Sequence, residues 1–141
     1  MSRTYLLLFF VAYYTLSGCG KSATPDLEPT TCAPNQALVA VFDGVLQNVC
    51  GCQETAGTYG TLDSPLTCTV SAGTRVSFYF FNTQLAHQLI STENTAFQGC
   101  PVADPSSVAK ISSFEVLFGS SGNYRFQDAF ISNLRGQIIV Q

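Results

Sequence analysis

The chain has 141 residues, of which only 11% are charged, and its formal net charge is −3. With 46% hydrophobic residues, including 11 Phe and 6 Tyr, it carries enough apolar surface to build one buried core, which excludes intrinsic disorder. No Lys/Arg cluster occurs anywhere, so no nucleic acid is expected as a partner.

The N-terminal stretch reads as a leader. Arg3 precedes an apolar run over residues 5–16. A membrane-spanning helix needs roughly 20 apolar residues, so this run fits a secretory h-region better than a span. Residues 16–19 read Leu-Ser-Gly-Cys. This tetrad resembles the lipobox of bacterial lipoprotein precursors, and the resemblance implies that residues 1–18 are a signal peptide and that Cys19 is acylated and becomes the mature N-terminus. It further implies secretion across the inner membrane and a lipid anchor that makes the membrane a partner. Gly20, where Asp would signal inner-membrane retention, favours the outer membrane, facing the periplasm or the cell surface. Residues 19–36, polar and carrying Pro25 and Pro29, are expected to be the lipidated N-terminus and linker, with the folded domain over 37–141.

Five further cysteines follow: Cys32, Cys50, Cys52, Cys68 and Cys100. Outside the cytoplasm cysteines are normally paired, so two disulfides and one leftover thiol are expected, the pairing left open.

From residue 37 onward apolar residues recur with period 2, and turn residues punctuate them every 8–12 residues or so. Strands are expected at 37–42 and, beyond an Asp43-Gly44 turn, at 45–49. Others are expected at 66–70, 74–82, 87–91, 111–118, 124–126 and 136–140. In the 74–82 run Val76, Phe78 and Phe80 share one face, while Tyr79 and Phe81 lie on the other. That distribution predicts a strand covered on both sides. The segment 94–110 is the longest irregular stretch, with one helical turn expected near Pro105. Seven or eight short strands at this spacing predict an all-β sandwich.

Two segments resemble the cupredoxins, the Greek-key sandwiches that include plastocyanin and azurin. In the first, an Ala72-Gly73-Thr74 turn and an aromatic strand lead to Asn82 and, at the family's spacing, to His87 in the place of the first copper-binding histidine. In the second, Gly122, Tyr124, Phe126, Asp128, Leu134, Gly136, Ile138 and Val140 match a strand, a ligand loop and a strand. The resemblance implies a Greek-key β-sandwich of the cupredoxin type with copper as its ligand, but the ligand set departs from the family. A blue-copper site needs two imidazoles and a thiolate, usually with an axial thioether. Here Asp128 takes the thiolate's position and Leu134 the thioether's, and His87 is the chain's single histidine.

Three readings of this position follow. In the first, His87 is structural and its ring pairs with Asp128 or a backbone group. In the second, His87 and Asp128, helped by Asn133 or a water, form an N/O site for Cu(II) or Zn(II). In the third, Cys50 and Cys52, two residues apart, join a third Cys or His87 in a soft Cu(I) site. The first is favoured, so no resident cofactor is expected, with copper as the alternative. Asp43, Asp104 and Glu115 read as solvated surface, and no catalytic motif is present. The sequence therefore points to a non-enzymatic binding or structural module of the cell envelope, with another envelope protein as a partner. The alternative is a copper-binding or electron-transfer accessory protein using His87 with Asp128 or the cysteines.

Overall fold

The computed structural model describes residues 30–141. The expected signal peptide over 1–18, the expected acylation site Cys19 and most of the expected linker lie outside the described residues.

The alternating pattern resolves into nine strands, one or two more than the spacing suggests. They are β1 (Gln36–Phe42), β2 (Val45–Cys50), β3 (Tyr59–Thr61), β4 (Leu66–Val70), β5 (Thr74–Phe80), β6 (Leu89–Ile90), β7 (Ser113–Phe118), β8 (Gly122–Asp128) and β9 (Arg135–Val140). The additional strand is β3, too short to announce itself by alternation. The expected strand at 87–91 shrinks to β6, preceded by a lone bridge between His87 and Ala103. No helical turn forms near Pro105; instead Asp104 accepts hydrogen bonds from the backbone N–H and hydroxyl of Ser106, closing a tight turn.

Two sheets form, ordered β3-β2-β1-β5-β7 and β4-β9-β8-β6. Each contains one parallel pair, β1 with β5 and β4 with β9. Parallel neighbours require crossover connections, so the chain must pass between the sheets, which makes the fold a sandwich rather than a meander. Because β1 and β5 run side by side in the same direction, their C-terminal ends, Phe42 and Phe80, reach the same edge of the molecule.

The inward faces follow the period of 2. Val39 and Val41 of β1, Val76, Phe78 and Phe80 of β5, and Ile138 and Val140 of β9 are all buried in one core. Phe97, from the irregular segment, enters this core and meets Phe78, Phe126 and Phe118 at centroid distances of 5.4, 4.8 and 6.3 Å. That segment is thus held by an aromatic anchor rather than by regular hydrogen bonding. Gly136 faces Phe126 across the β8–β9 ladder, and a Cβ there would stand 2.5 Å from the Phe126 ring. The glycine is needed so that the ring can lie over the neighbouring strand. On the outer face of the larger sheet Phe81 packs edge-on against Phe42 at 5.6 Å, so the second aromatic face is partly covered, as the sequence suggests.

Two disulfides are present, Cys32–Cys50 and Cys52–Cys68, and Cys100 is free and buried. The Cys50-Gly51-Cys52 stretch therefore sends one cysteine back to the segment before β1 and the other across to β4 in the second sheet. Gly51 between them takes φ 87°, and a Cβ would stand 2.5 Å from the Ala37 Cα, so only glycine allows the chain to cross there.

Candidate functional site

His87 lies at the edge where β1 and β5 end together. Its backbone is fixed by a reciprocal pair of hydrogen bonds, His87 N–H to Ala103 O at 3.0 Å and Ala103 N–H to His87 O at 2.8 Å. The Phe80 ring stacks on the imidazole with centroids 6.3 Å apart. The side chain is fully buried.

Both ring nitrogens meet a carboxylate. Nδ1 lies 2.7 Å from Oδ2 of Asp128, and Nε2 lies 2.8 Å from Oδ1 of Asp43. Asp128, the last residue of β8, is itself fully buried, and its Oδ1 accepts the backbone N–H groups of Phe130 and Ile131 at 2.8 and 3.0 Å. Asp43 sits in the two-residue turn between β1 and β2, and its carboxylate accepts the N–H groups of Gln84 and Leu85 at 2.8 and 3.2 Å. Each carboxylate therefore caps one loop while holding one side of the imidazole.

The expected pair of His87 with Asp128 is thus present in direct contact. The third member, Asp43, is misread by the sequence as solvated surface. Asp43 remains partly open to solvent, its side chain 29% exposed, but its Oδ1 is turned onto His87. The sequence marks only the Asp-Gly turn that ends β1; the parallel pairing of β1 with β5 that carries this turn to His87 leaves no local signal. Asp104 and Glu115 do lie away from this site, the first in its own turn and the second paired with Arg75.

An ionised carboxylate only accepts hydrogen bonds, and a neutral imidazole has a single N–H. Two carboxylates at these distances are both satisfied when the ring carries two protons. Burial by itself would lower the His87 pKa, but the hydrogen bonds to Asp128 and Asp43, reinforced by their negative charge, outweigh it and raise the value above the ordinary imidazole range. Burial likewise pushes the Asp43 pKa up, and the hydrogen bonds from His87, Gln84 and Leu85 more than offset it, leaving the carboxyl below 3.8. The arrangement is a carboxylate–imidazolium–carboxylate triad.

The donor set does not fit type 1 copper. The thiolate position holds the Asp128 carboxylate, committed to three hydrogen bonds. The thioether position holds Leu134, which is fully buried, and the loop residue Asn133 is exposed. An N/O site on His87 and Asp128 would have to break the contact between them. The sulfur site is overturned outright for Cys50 and Cys52, since each is consumed in a separate disulfide. The free Cys100 has its thiol pKa raised by burial, and its Sγ–H donates weakly to Pro101 O at 3.6 Å, which leaves it a poor source of thiolate. Among the described residues, no group of three or more His, Cys, Asp or Glu is arranged to hold a metal ion.

The pH dependence of stability follows from the two shifts. Folding raises the His87 pKa, so its contribution is complete below about 6.5 and is lost as pH rises through the folded value. Folding lowers the Asp43 pKa, so its contribution is complete above 3.8 and is lost as pH falls through the folded value. Urea unfolding at a series of pH values should show a plateau between about pH 4 and 6.5 with decline on the alkaline side. Because the chain has one histidine, His87→Gln should abolish that alkaline decline and cost about 3–5 kcal/mol at pH 6 by leaving the buried Asp128 carboxylate without its counter-charge. A variant that keeps the wild-type alkaline slope would assign the titration to another group.

No family model matches the chain, and no curated protein matches it. Solved structures do. A reduced amicyanin variant is 13% identical with a TM-score of 0.50, covering 82% of this chain and 91% of its own. Amicyanin from Paracoccus versutus is 12% identical with a TM-score of 0.49 over 82% of this chain and 91% of its own. A purple cupredoxin from Nitrosopumilus maritimus is 22% identical with a TM-score of 0.49 over 74% of this chain and 99% of its own. With its two mixed sheets stacked as a sandwich and its match to amicyanin, the chain has the cupredoxin-like fold.

Proposed function

We propose that this protein is a non-enzymatic binding or structural module of the bacterial cell envelope, anchored by lipid at Cys19, in which a cupredoxin-like scaffold uses an ion triad centred on a buried imidazole where its relatives in fold use copper. The observation that carries this reading is the engagement of both nitrogens of the single histidine by Asp43 and Asp128. A ring so held offers no lone pair to a metal. It is also a poor general base, because it is enclosed and no serine, threonine or cysteine side chain contacts its nitrogens. The two disulfides suit an extracytoplasmic compartment, in keeping with the lipobox resemblance.

Copper handling through His87 with Asp128 is the rival reading, and it separates from the first on metal content. Purified protein incubated with Cu(II), with Cu(I) under reductant, or with Zn(II), then desalted, should retain only substoichiometric metal. Stoichiometric copper that disappears in His87→Gln would overturn the structural reading and establish the rival one.

The anchor has its own test. Expressed in a bacterium with lipoprotein processing, the chain should partition into the detergent phase of a Triton X-114 extraction, and Cys19→Ala should move it to the aqueous phase. Aqueous partitioning of both forms would remove the lipid from the account.

A further inference from the structure

The outer face of the smaller sheet carries an unexplained groove. Along β8 the inward residues are Tyr124, Phe126 and Asp128, so Arg125 and Gln127 point outward; along β9 Gly136 and Ile138 point in, and Arg135 and Gln137 point out. The antiparallel register sets Arg125 opposite Gln137 and Gln127 opposite Arg135. The result is a two-by-two checkerboard of guanidinium and amide. Around it, Pro65 on one side and Ser91, Thr92 and Glu93 on the other close a groove of about 390 Å³. It runs from the start of β4 across β9 and β8 to the end of β6, three inter-strand spacings or roughly 14 Å.

The charge distribution singles this groove out. The chain is net acidic at −3, and the described residues contain four Lys or Arg: Arg75, Lys110, Arg125 and Arg135. Two of them line this groove. Arg75 is already bound to Glu115 at 2.8 Å, and Arg125 leans on Glu93 at a looser 3.6 Å. The side chains of Arg135 and its cross-strand neighbour Gln127 make no hydrogen bond or ion pair among the described residues. A guanidinium fork and an amide thus stand side by side with their polar atoms free.

The geometry points to a binding site for an acidic oligosaccharide, a short chain of sugar rings bearing carboxylates. A planar carboxylate matches the Arg135 fork in two parallel hydrogen bonds. Amide and hydroxyl side chains both donate and accept, as sugar hydroxyls require, and Gln127, Ser91 and Thr92 supply them, while Gln137 is held by Asn123 and Thr67. The two arginines and Glu93 leave one net positive charge, suited to a monoanionic group rather than a dianion. A peptide is disfavoured because strand capture needs an open backbone edge. The floor of this groove is instead the face of paired strands β8 and β9.

The site is independent of the His87 triad and can be tested apart from it. The full chain is titrated calorimetrically at low ionic strength with tetragalacturonate, with the neutral maltotetraose and with tetraglutamate. Binding to tetragalacturonate alone is expected, weakened about tenfold or more by Arg135→Gln, severalfold by Gln127→Ala, and less by Arg135→Lys, which keeps charge without the fork. Both positions lie on the outer sheet face, and unchanged urea midpoints would confirm that the variants fold. Absence of tetragalacturonate binding, indifference to Arg135→Gln, or equal binding of maltotetraose or tetraglutamate would each overturn the proposal, the last in favour of a peptide partner.

Discussion

A buried imidazole with a carboxylate on each nitrogen is the constraint around which one end of this sandwich is organised. Asp43 closes the turn after β1 and caps the backbone at Gln84 and Leu85; Asp128 closes β8 and caps it at Phe130 and Ile131. His87 joins the two, so three loops from different parts of the chain share one proton-dependent link. Moving ions out of water costs several kcal/mol each, and the mutual attraction returns that cost only when every lone pair and N–H is used. Here they are used, as Asp128 receives two backbone N–H groups besides the imidazole. Such a triad contributes little relative to a well-packed apolar core, yet loss of His87 removes the counter-charge of the buried Asp128 and leaves both carboxylates only their backbone N–H donors. Its role is therefore to fix a single arrangement of the loops.

The segment around His87 and the loop that begins at residue 128 must be drawn together for this end of the sandwich to close. In this chain an imidazolium and two carboxylates bridge them by charge-assisted hydrogen bonds of 2.7 and 2.8 Å. Leu134, where a thioether would stand, is fully buried and completes the apolar wall. A carboxylate in place of a thiolate alone would bury a charge with nothing to answer it. The added contact from Asp43 spreads the imidazolium's charge over two partners and ties in the turn after β1.

Much of the fold was legible because it rests on local signals. The period of 2 placed β1, β4 and β5 within a residue or two, and the turn at Ala72-Gly73 is where the pattern puts it. The contact between His87 and Asp128 was legible through the resemblance to the cupredoxins, although the residues lie 41 positions apart. Asp43 was not, because its partnership depends on the parallel pairing of β1 with β5, a non-local feature with no mark in either strand. The strand β3 was missed for a different reason: three residues, Tyr59–Thr61, are too few to show alternation. The segment 94–110 misled because its prolines and small residues suggest a helical turn. Its course is in fact set by the burial of Phe97 and by the backbone bridge from Ala103 to His87. The cysteines allowed many pairings, and only the meeting of β2 with the segment before β1, and of residue 52 with β4, selects two of them.

The account stands on the protonation of one ring. Long-range 1H–15N correlation of the His87 imidazole, in protein at pH 7, reports directly whether Nδ1 and Nε2 both carry protons. Two protonated nitrogens of imidazolium type, persisting to a pH above the ordinary histidine value of about 6.5, are the predicted result. A ring with one bare nitrogen at pH 6, where an unperturbed histidine is already mostly charged, would contradict it and return His87 to the status of a ligand awaiting a metal.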